Sequence, residues 1–181
     1  MKQILSTDIP KIIEYASNKE ISSNTLNIPY PYEEKDAIYW INSANQGFLN
    51  KTQFTFAIRL KSTDEFIGGI GLILNKRFDR AEFGYWIGKP FWKNGYATEA
   101  LAALLKFGFK TLNLNKIYAT HLIENPASGK VMLKNGMLKE ATLIEHYKKG
   151  DEYRSVFQYR LTKKEFELLN VEANIDNKNL S

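Results

Sequence analysis

Hydrophobic positions along the chain alternate between helical and strand periods. Residues 3–5 form a short apolar run suited to an edge strand. Ile9, Ile12, Ile13 and Ala16 then recur at helical spacing. Thr7 or Asp8 is placed to cap that helix, and Pro10 is tolerated in its first turn, where the missing N–H would have no partner anyway. The segment S-N-K-E-I-S-S-N-T is polar and predicts irregular chain or a short helix. In N-I-P-Y-P-Y two prolines force an extended path carrying Tyr30 and Tyr32. A second helix is predicted over 33–46, with Ala37, Trp40, Ile41 and Ala44 as its buried stripe.

From there the period shortens. Phe54, Phe56, Ile58 and Leu60 alternate with polar or small residues, predicting a half-buried strand over 53–61. The turn S-T-D-E leads to a second strand, F-I-G-G-I-G-L-I-L, and residues 75–80 to a third over 81–88. Short turns between them imply an antiparallel meander. After Gly95 a helical stripe returns: Leu101, Leu104, Leu105, Gly108 and Leu112. Residues 113–115 end it, and K-I-Y-A-T-H-L-I predicts a strand parallel to the one before the helix. Asn125-Pro126 opens a short helix over 127–134, closed by Asn135-Gly136. Strands at 138–148 and 153–161 follow, and Thr162 with Glu165 forms a capping box for a last helical turn. These elements make one α+β domain over 1–170, a mixed, mostly antiparallel sheet of about six to seven strands flanked by helices. Residues 171–181 form a polar C-terminal tail.

Composition narrows the chemistry. At 181 residues the chain suits a single domain, and 44% hydrophobic with 25% charged residues is ordinary for a globular protein. There are no cysteines, which excludes disulfides, thiolate metal sites and a Cys nucleophile. The two histidines, His121 and His146, are too few for a His-rich metal centre; no metal is expected, and both read most simply as structural strand residues. Neither a signal peptide nor the roughly eighteen apolar residues of a membrane span occurs, so the expected location is cytoplasmic, without a membrane partner. The net charge of +5 is scattered, with no basic run beyond pairs such as Lys148-Lys149. It suits a polyanionic ligand, and no motif indicates a specific nucleic-acid partner.

One stretch combines strand, turn and helix start: E-F-G-Y-W-I-G-K-P-F-W-K-N-G-Y-A-T, from Glu82 to Thr98. The backbone amides of Trp92, Lys93, Asn94, Gly95, Tyr96, Ala97 and Thr98, with the helix dipole behind them, can hold an anion. Gly95 lets the backbone approach a ligand closely. An ordinary loop before a core helix gives the same pattern. No G-x-x-x-x-G-K-[ST] is present, and G-G-I-G around Gly69 lacks the spacing of a dinucleotide fingerprint; those glycines predict a strand packed closely on a neighbour.

W-K-N-G-Y-A, together with Asn125, Ser128, Lys134, Gly136 and Met137, resembles two motifs of the GNAT-superfamily N-acetyltransferases: Q/R-x-x-G-x-G/A and N-x-x-S/A-x-x-x-x-x-K-x-G-F/M. P-Y-P-Y before a Trp-containing helix resembles the branch of ribosomal-protein N-terminal (alanine/serine) acetyltransferases. The resemblance covers nearly the whole chain. It implies acetyl-CoA as acetyl donor and direct transfer to a primary amine. Backbone around Trp86 and Ile87 would pair with the pantetheine arm, the amides from Lys93 to Thr98 would hold the pyrophosphate, and Asn125 would hydrogen-bond the pantetheine.

Trp92 stands at the family's Q/R position, and Met132 where many relatives carry a general-acid Tyr. Ser128 is then the remaining hydroxyl for protonating the leaving thiolate, or it caps and packs its helix. Glu82 is the general-base candidate, with a surface ion pair to Arg80 as the alternative. An α-amine of pKa about 7.8 is roughly 10–20% neutral at pH 7, against well below about 0.1% for a lysine, so a peptide N-terminus needs only a modest base. Acceptor selectivity is expected at Tyr30, Tyr32, Trp40 and the loop joining the last two strands. Ser155 replaces an Asp common in that branch, with Glu145 or Asp151 as substitutes. The expected acceptor is a protein or peptide N-terminal amine. Alternatives are a small amine (aminoglycoside, polyamine or amino-acid-like) or a non-catalytic acyl-CoA-binding module. A homodimer is compatible with the chain.

Overall fold

The alternation around Phe54–Ile58 becomes β2 (Gln53–Arg59), which pairs antiparallel with β3 (Phe66–Asn75), and β3 in turn with β4 (Arg80–Ile87). The computed structural model describes residues 2–169 and 171. A two-residue β1 (Lys2–Gln3) lies on the outer edge of β2. Beyond the meander, β5 (Lys116–Leu122) runs parallel to β4. The chain then forms β6 (Leu138–Lys149) and β7 (Glu152–Thr162), and β7 inserts between β5 and β6. The seven strands take the order β1-β2-β3-β4-β5-β7-β6.

The parallel pairing is short. Only Arg80–Glu82 meet Lys116–Tyr118. Past Glu82, β4 stays on β3 as far as Ile87, β5 stays on β7 as far as Leu122, and the two separate.

One face of the sheet is covered by α4 (Tyr96–Lys106) and α5 (Pro126–Lys134). Leu101, Leu104 and Leu105 bury against Phe83 and Ile117 as the stripe predicts, while Leu112 is only half-buried. The last turn widens over Phe107–Thr111, where a Cβ on Gly108 would stand 2.5 Å from Ile117 Cδ1. The other face carries α1 (Ile9–Ala16), α2 (Lys19–Asn24) and α3 (Glu34–Asn50). Their core, including Ile12, Ala16, Ile21, Ala37 and Ile41, packs on Phe66 and Trp86.

Several local expectations are adjusted. Asp8 does not cap α1. Its carboxylate accepts from Leu5 N at 2.8 Å, closing the turn Ser6–Asp8, and pairs with Arg59 at 2.6 Å. Asp8 has helical dihedrals, so its side chain does not reach back over the first-turn amides, and the guanidinium takes it. The polar segment is helical as α2 because Asn18 accepts from Glu20 N at 2.9 Å. Helix α3 continues a turn past the expected end because Gly47 extends the buried stripe beside Gln53. The tight glycines behave as predicted: a Cβ on Gly69 would meet the Trp40 ring at 2.6 Å. Thr162 and Glu165 form the expected box, Thr162 N donating to Glu165 Oε2 at 2.9 Å and Glu165 N to Thr162 Oγ1 at 3.4 Å, ahead of a helix over 163–169. Of the expected polar tail, Val171 is helical and residues 172–181 lie outside the described residues. Among the described residues no helix is long and apolar enough to cross a membrane.

Candidate active site

Strand alternation decides what the parting of β4 from β5 exposes. Gly88 N donates to Ile67 O on β3 at 2.8 Å. Backbone groups alternate in direction along a strand, so Gly84 and Trp86 also turn their N–H and C=O toward β3. Phe83, Tyr85 and Ile87 turn theirs toward the side that β5 has left. That free edge can take an extended ligand as an added strand. At its end Ile87 O accepts from Trp92 Nε1 at 2.6 Å, so the Trp at the motif's first position pins the following loop to β4. The indole of Trp86 packs on Trp40 and Phe66, with ring centroids 5.9 and 5.8 Å away.

The loop is shaped by two left-handed residues, Lys93 (φ 65°) and Gly95 (φ 85°). Gly95 precedes α4 and no side chain caps the helix, so first-turn amides at Tyr96, Ala97 and Thr98 lack a side-chain acceptor. Asn94 folds back instead, Nδ2 donating to Trp92 O at 3.2 Å. A Cβ on Gly95 would meet nothing within 4 Å, so the concave side is open. Uncapped amides, helix dipole and exposed Lys93 suit a phosphate.

Across the gap, Asn125 caps α5. Its Oδ1 accepts from Ser128 N and its Nδ2 donates to Asn24 O at the end of α2, both at 3.3 Å. Ser128 is buried, and its Oγ accepts from Tyr85 OH at 3.2 Å. Burial pushes the Tyr85 phenol up, and the Ser128 bond opposes the shift. Met132 lies in the core and offers nothing to a ligand.

On the opposite face of β4, alternation lines up Arg80, Glu82, Gly84 and Trp86. A cleft of about 430 Å³ is lined by Arg80, Glu82, Lys116, Tyr118 and His146, among others. Burial raises the Glu82 carboxyl above its ordinary value, while the charge of His146 and a hydrogen-bonding contribution from Tyr118 pull it down. Next to Glu82 the exposed Gly84 leaves the face bare; a Cβ there would meet nothing within 4 Å.

Residues 1–138 match the Acetyltransferase (GNAT) domain family. The chain belongs to that family. An N-acetyltransferase of Bacillus licheniformis, p20, is 32% identical over 163 residues, 88% of this chain and 89% of its own length. The ribosomal-protein-serine acetyltransferase of Escherichia coli is 32% identical over 149 residues, 78% of this chain and 79% of its own. In fold, the chain is similar to spermidine N-acetyltransferase from Vibrio cholerae, solved with CoA and spermine, at TM-score 0.78 and 23% identity, covering 91% of this chain and 95% of that one. The protein is thus an acetyl-CoA-dependent GNAT N-acetyltransferase with a single α+β domain of that fold.

On the GNAT frame the remaining predicted residues separate. Trp40 borders the Glu82–Gly84–Trp86 row through its contact with Trp86. Tyr32 is buried in the core of the α1–α3 face, its hydroxyl pushed up to about 12 by burial, and Tyr30 is 56% exposed. Ser155 Oγ accepts from Glu145 N at 2.9 Å, and both Glu145 and Asp151 are exposed, outside the cleft lining. His121 is a core residue, with Nδ1 2.8 Å from Leu122 O and its ring stacked on Tyr159. His146 instead stands in the cleft. The Glu82–Arg80 ion pair is not formed: among the described residues Arg80 has no carboxylate partner. Sequence reasoning missed Tyr85, Gly84 and Tyr118 as site residues. The signal for the first two was the two-residue period of E-F-G-Y-W, which assigns Phe83 and Tyr85 to one face and Glu82, Gly84 and Trp86 to the other.

Proposed function

We propose that the enzyme acetylates the N-terminal amine of a peptide or protein, with Glu82 as the base. The observation that carries this reading is the row on β4: a half-buried carboxylate of raised basicity beside the bare face at Gly84, where β4 and β5 part. An amine lying over Gly84 can lose its proton to Glu82, directly or through water. Acetyl-CoA supplies an acetyl group on a sulfur leaving group. The amides of Lys93–Thr98 hold its pyrophosphate, and the edge at Tyr85 and Ile87 pairs with the pantetheine. Asn125 keeps its intramolecular bonds and offers the second lone pair of Oδ1. Ser128, whose oxygen already accepts from Tyr85, has its own proton free to donate toward the sulfur.

Charge favours an α-amine over a polycation. The cleft sets Arg80 and Lys116 beside Glu82, whereas a polyamine calls for several carboxylates. Free-thiol release from acetyl-CoA tests the proposal against peptides, polyamines and aminoglycosides. The expected result is release with peptides that Glu82→Gln lowers by about a hundredfold or more. No release above hydrolysis with any amine would overturn it and favour a non-catalytic acyl-CoA-binding module.

A further inference from the structure

Arg80 is held in the cleft without an acceptor. Its neighbour Lys116 is neutralised by Glu140 at 2.6 Å, and Glu140 also accepts from Gln158 at 2.7 Å. The Arg80 side chain has neither an ion pair nor a hydrogen bond among the described residues, and its Nε is buried with no partner. The guanidinium is nonetheless fixed in place. Its Cζ lies 5.4 Å from the centre of the Phe78 ring and 5.7 Å from that of Tyr118. Buried donors are almost always satisfied, and a preorganised guanidinium between aromatic faces is matched to a carboxylate, which it can grip through two parallel N–H bonds.

Position along the strand sets the distance. Arg80 and Glu82 are two residues apart on β4 and face the same cleft, a separation of about 6.6 Å at about 3.3 Å per residue. No ion pair joins Arg80 to Glu82 or to another carboxylate among the described residues, so the guanidinium remains available. On the reading that Glu82 receives the acceptor amine, we propose that Arg80 binds a carboxylate a few bonds from that amine. The acceptor class is then an acidic α-amine: a chain beginning with Asp or Glu, or a free acidic amino acid.

The test measures thiol release by the full chain with acetyl-CoA and matched peptides that begin with Glu or Gln, with free glutamate and spermidine alongside. The wild type is expected to prefer the Glu peptide over the Gln peptide by at least about tenfold in kcat/KM. Arg80→Gln should bring that ratio to about one, through KM for the Glu peptide, and Arg80→Lys should restore part of it. The wild-type ratio decides the matter even if a variant fails to fold. Turnover of the peptide but not of free glutamate assigns a protein terminus as the source, and the reverse assigns a small acidic amine. Equal, measurable rates for the Glu and Gln peptides, or faster turnover of spermidine than of any acidic amine, overturn the contact with Arg80 while leaving acetyl transfer at Glu82 standing. Absence of thiol release from every amine overturns both.

Discussion

Glu82 carries opposite consequences for activity and stability. Burial raises its carboxyl above the ordinary 4.5, so the fold favours the protonated form. That contribution is complete below the unfolded value and is lost as pH rises through the raised one, leaving the charged group a net cost at neutral pH. Glu82→Gln is therefore expected to melt higher than wild type at pH 7, with the gap closing at pH 4, as thermal unfolding at the two values will show. The acid limb of the wild-type pH–rate profile should lie above the ordinary glutamate value. Glu82 was singled out as the base candidate from its place on the third strand of a chain that resembles the GNAT family. Its neighbours were less legible: Arg80 was read only as an ion-pair partner, and nothing local says that its guanidinium is left without one.

At the scale of elements, the loop before α4 and the lock on α1 make contrasting demands. A side chain on Gly95 has room but must accept φ 85°, at about 1–2 kcal/mol, and it would occupy the concave side where the amides point. Gly95→Val should lower the melting temperature slightly while abolishing CoA binding measured by calorimetry; binding that survived would mean the phosphate loop lies elsewhere. The Asp8–Arg59 pair, with side chains 6% and 12% exposed, ties the turn before α1 to β2. Breaking a buried pair strands one charge, so Asp8→Ala should destabilise by about 3–5 kcal/mol in denaturant titrations without weakening CoA binding by the folded protein. Element periods, the α4 stripe and the Thr162–Glu165 box were readable because their interactions span a few residues. The Asp8 expectation failed because its carboxylate turns back to Leu5 N and to Arg59, and the second partner sits 51 residues away.

For the whole molecule, the proposed function makes β4 the divider between the two substrates. The side chains of its odd residues pack toward α4 and α5, its free backbone edge faces the gap that β5 leaves, and Arg80 and Glu82 line the cleft in which the amine is proposed to bind. Gly84→Leu should accordingly suppress thiol release with amines while leaving CoA affinity and the fold intact, since a strand tolerates the side chain and nothing lies within 4 Å of it. Loss of CoA binding in that variant would contradict the division. The chain crosses the gap as well: Asn125 reaches Asn24, 101 residues away, and Lys149 on β6 donates to Thr25 O at 2.7 Å. The end of α2 and the residue after it thereby bridge α5 and the last hairpin.

The sequence by itself determined most of the elements and their order, because periodicity, caps and turn chemistry act between near neighbours, and it pointed to the family through the resemblance of W-K-N-G-Y-A and of Asn125, Ser128, Lys134, Gly136 and Met137 to the GNAT motifs. Only the tertiary structure decided that β7 enters between β5 and β6, that β4 and β5 part after Glu82, and that Arg80 faces the cleft without an ion-pair partner among the described residues. Those outcomes depend on contacts between distant segments, which no local pattern encodes.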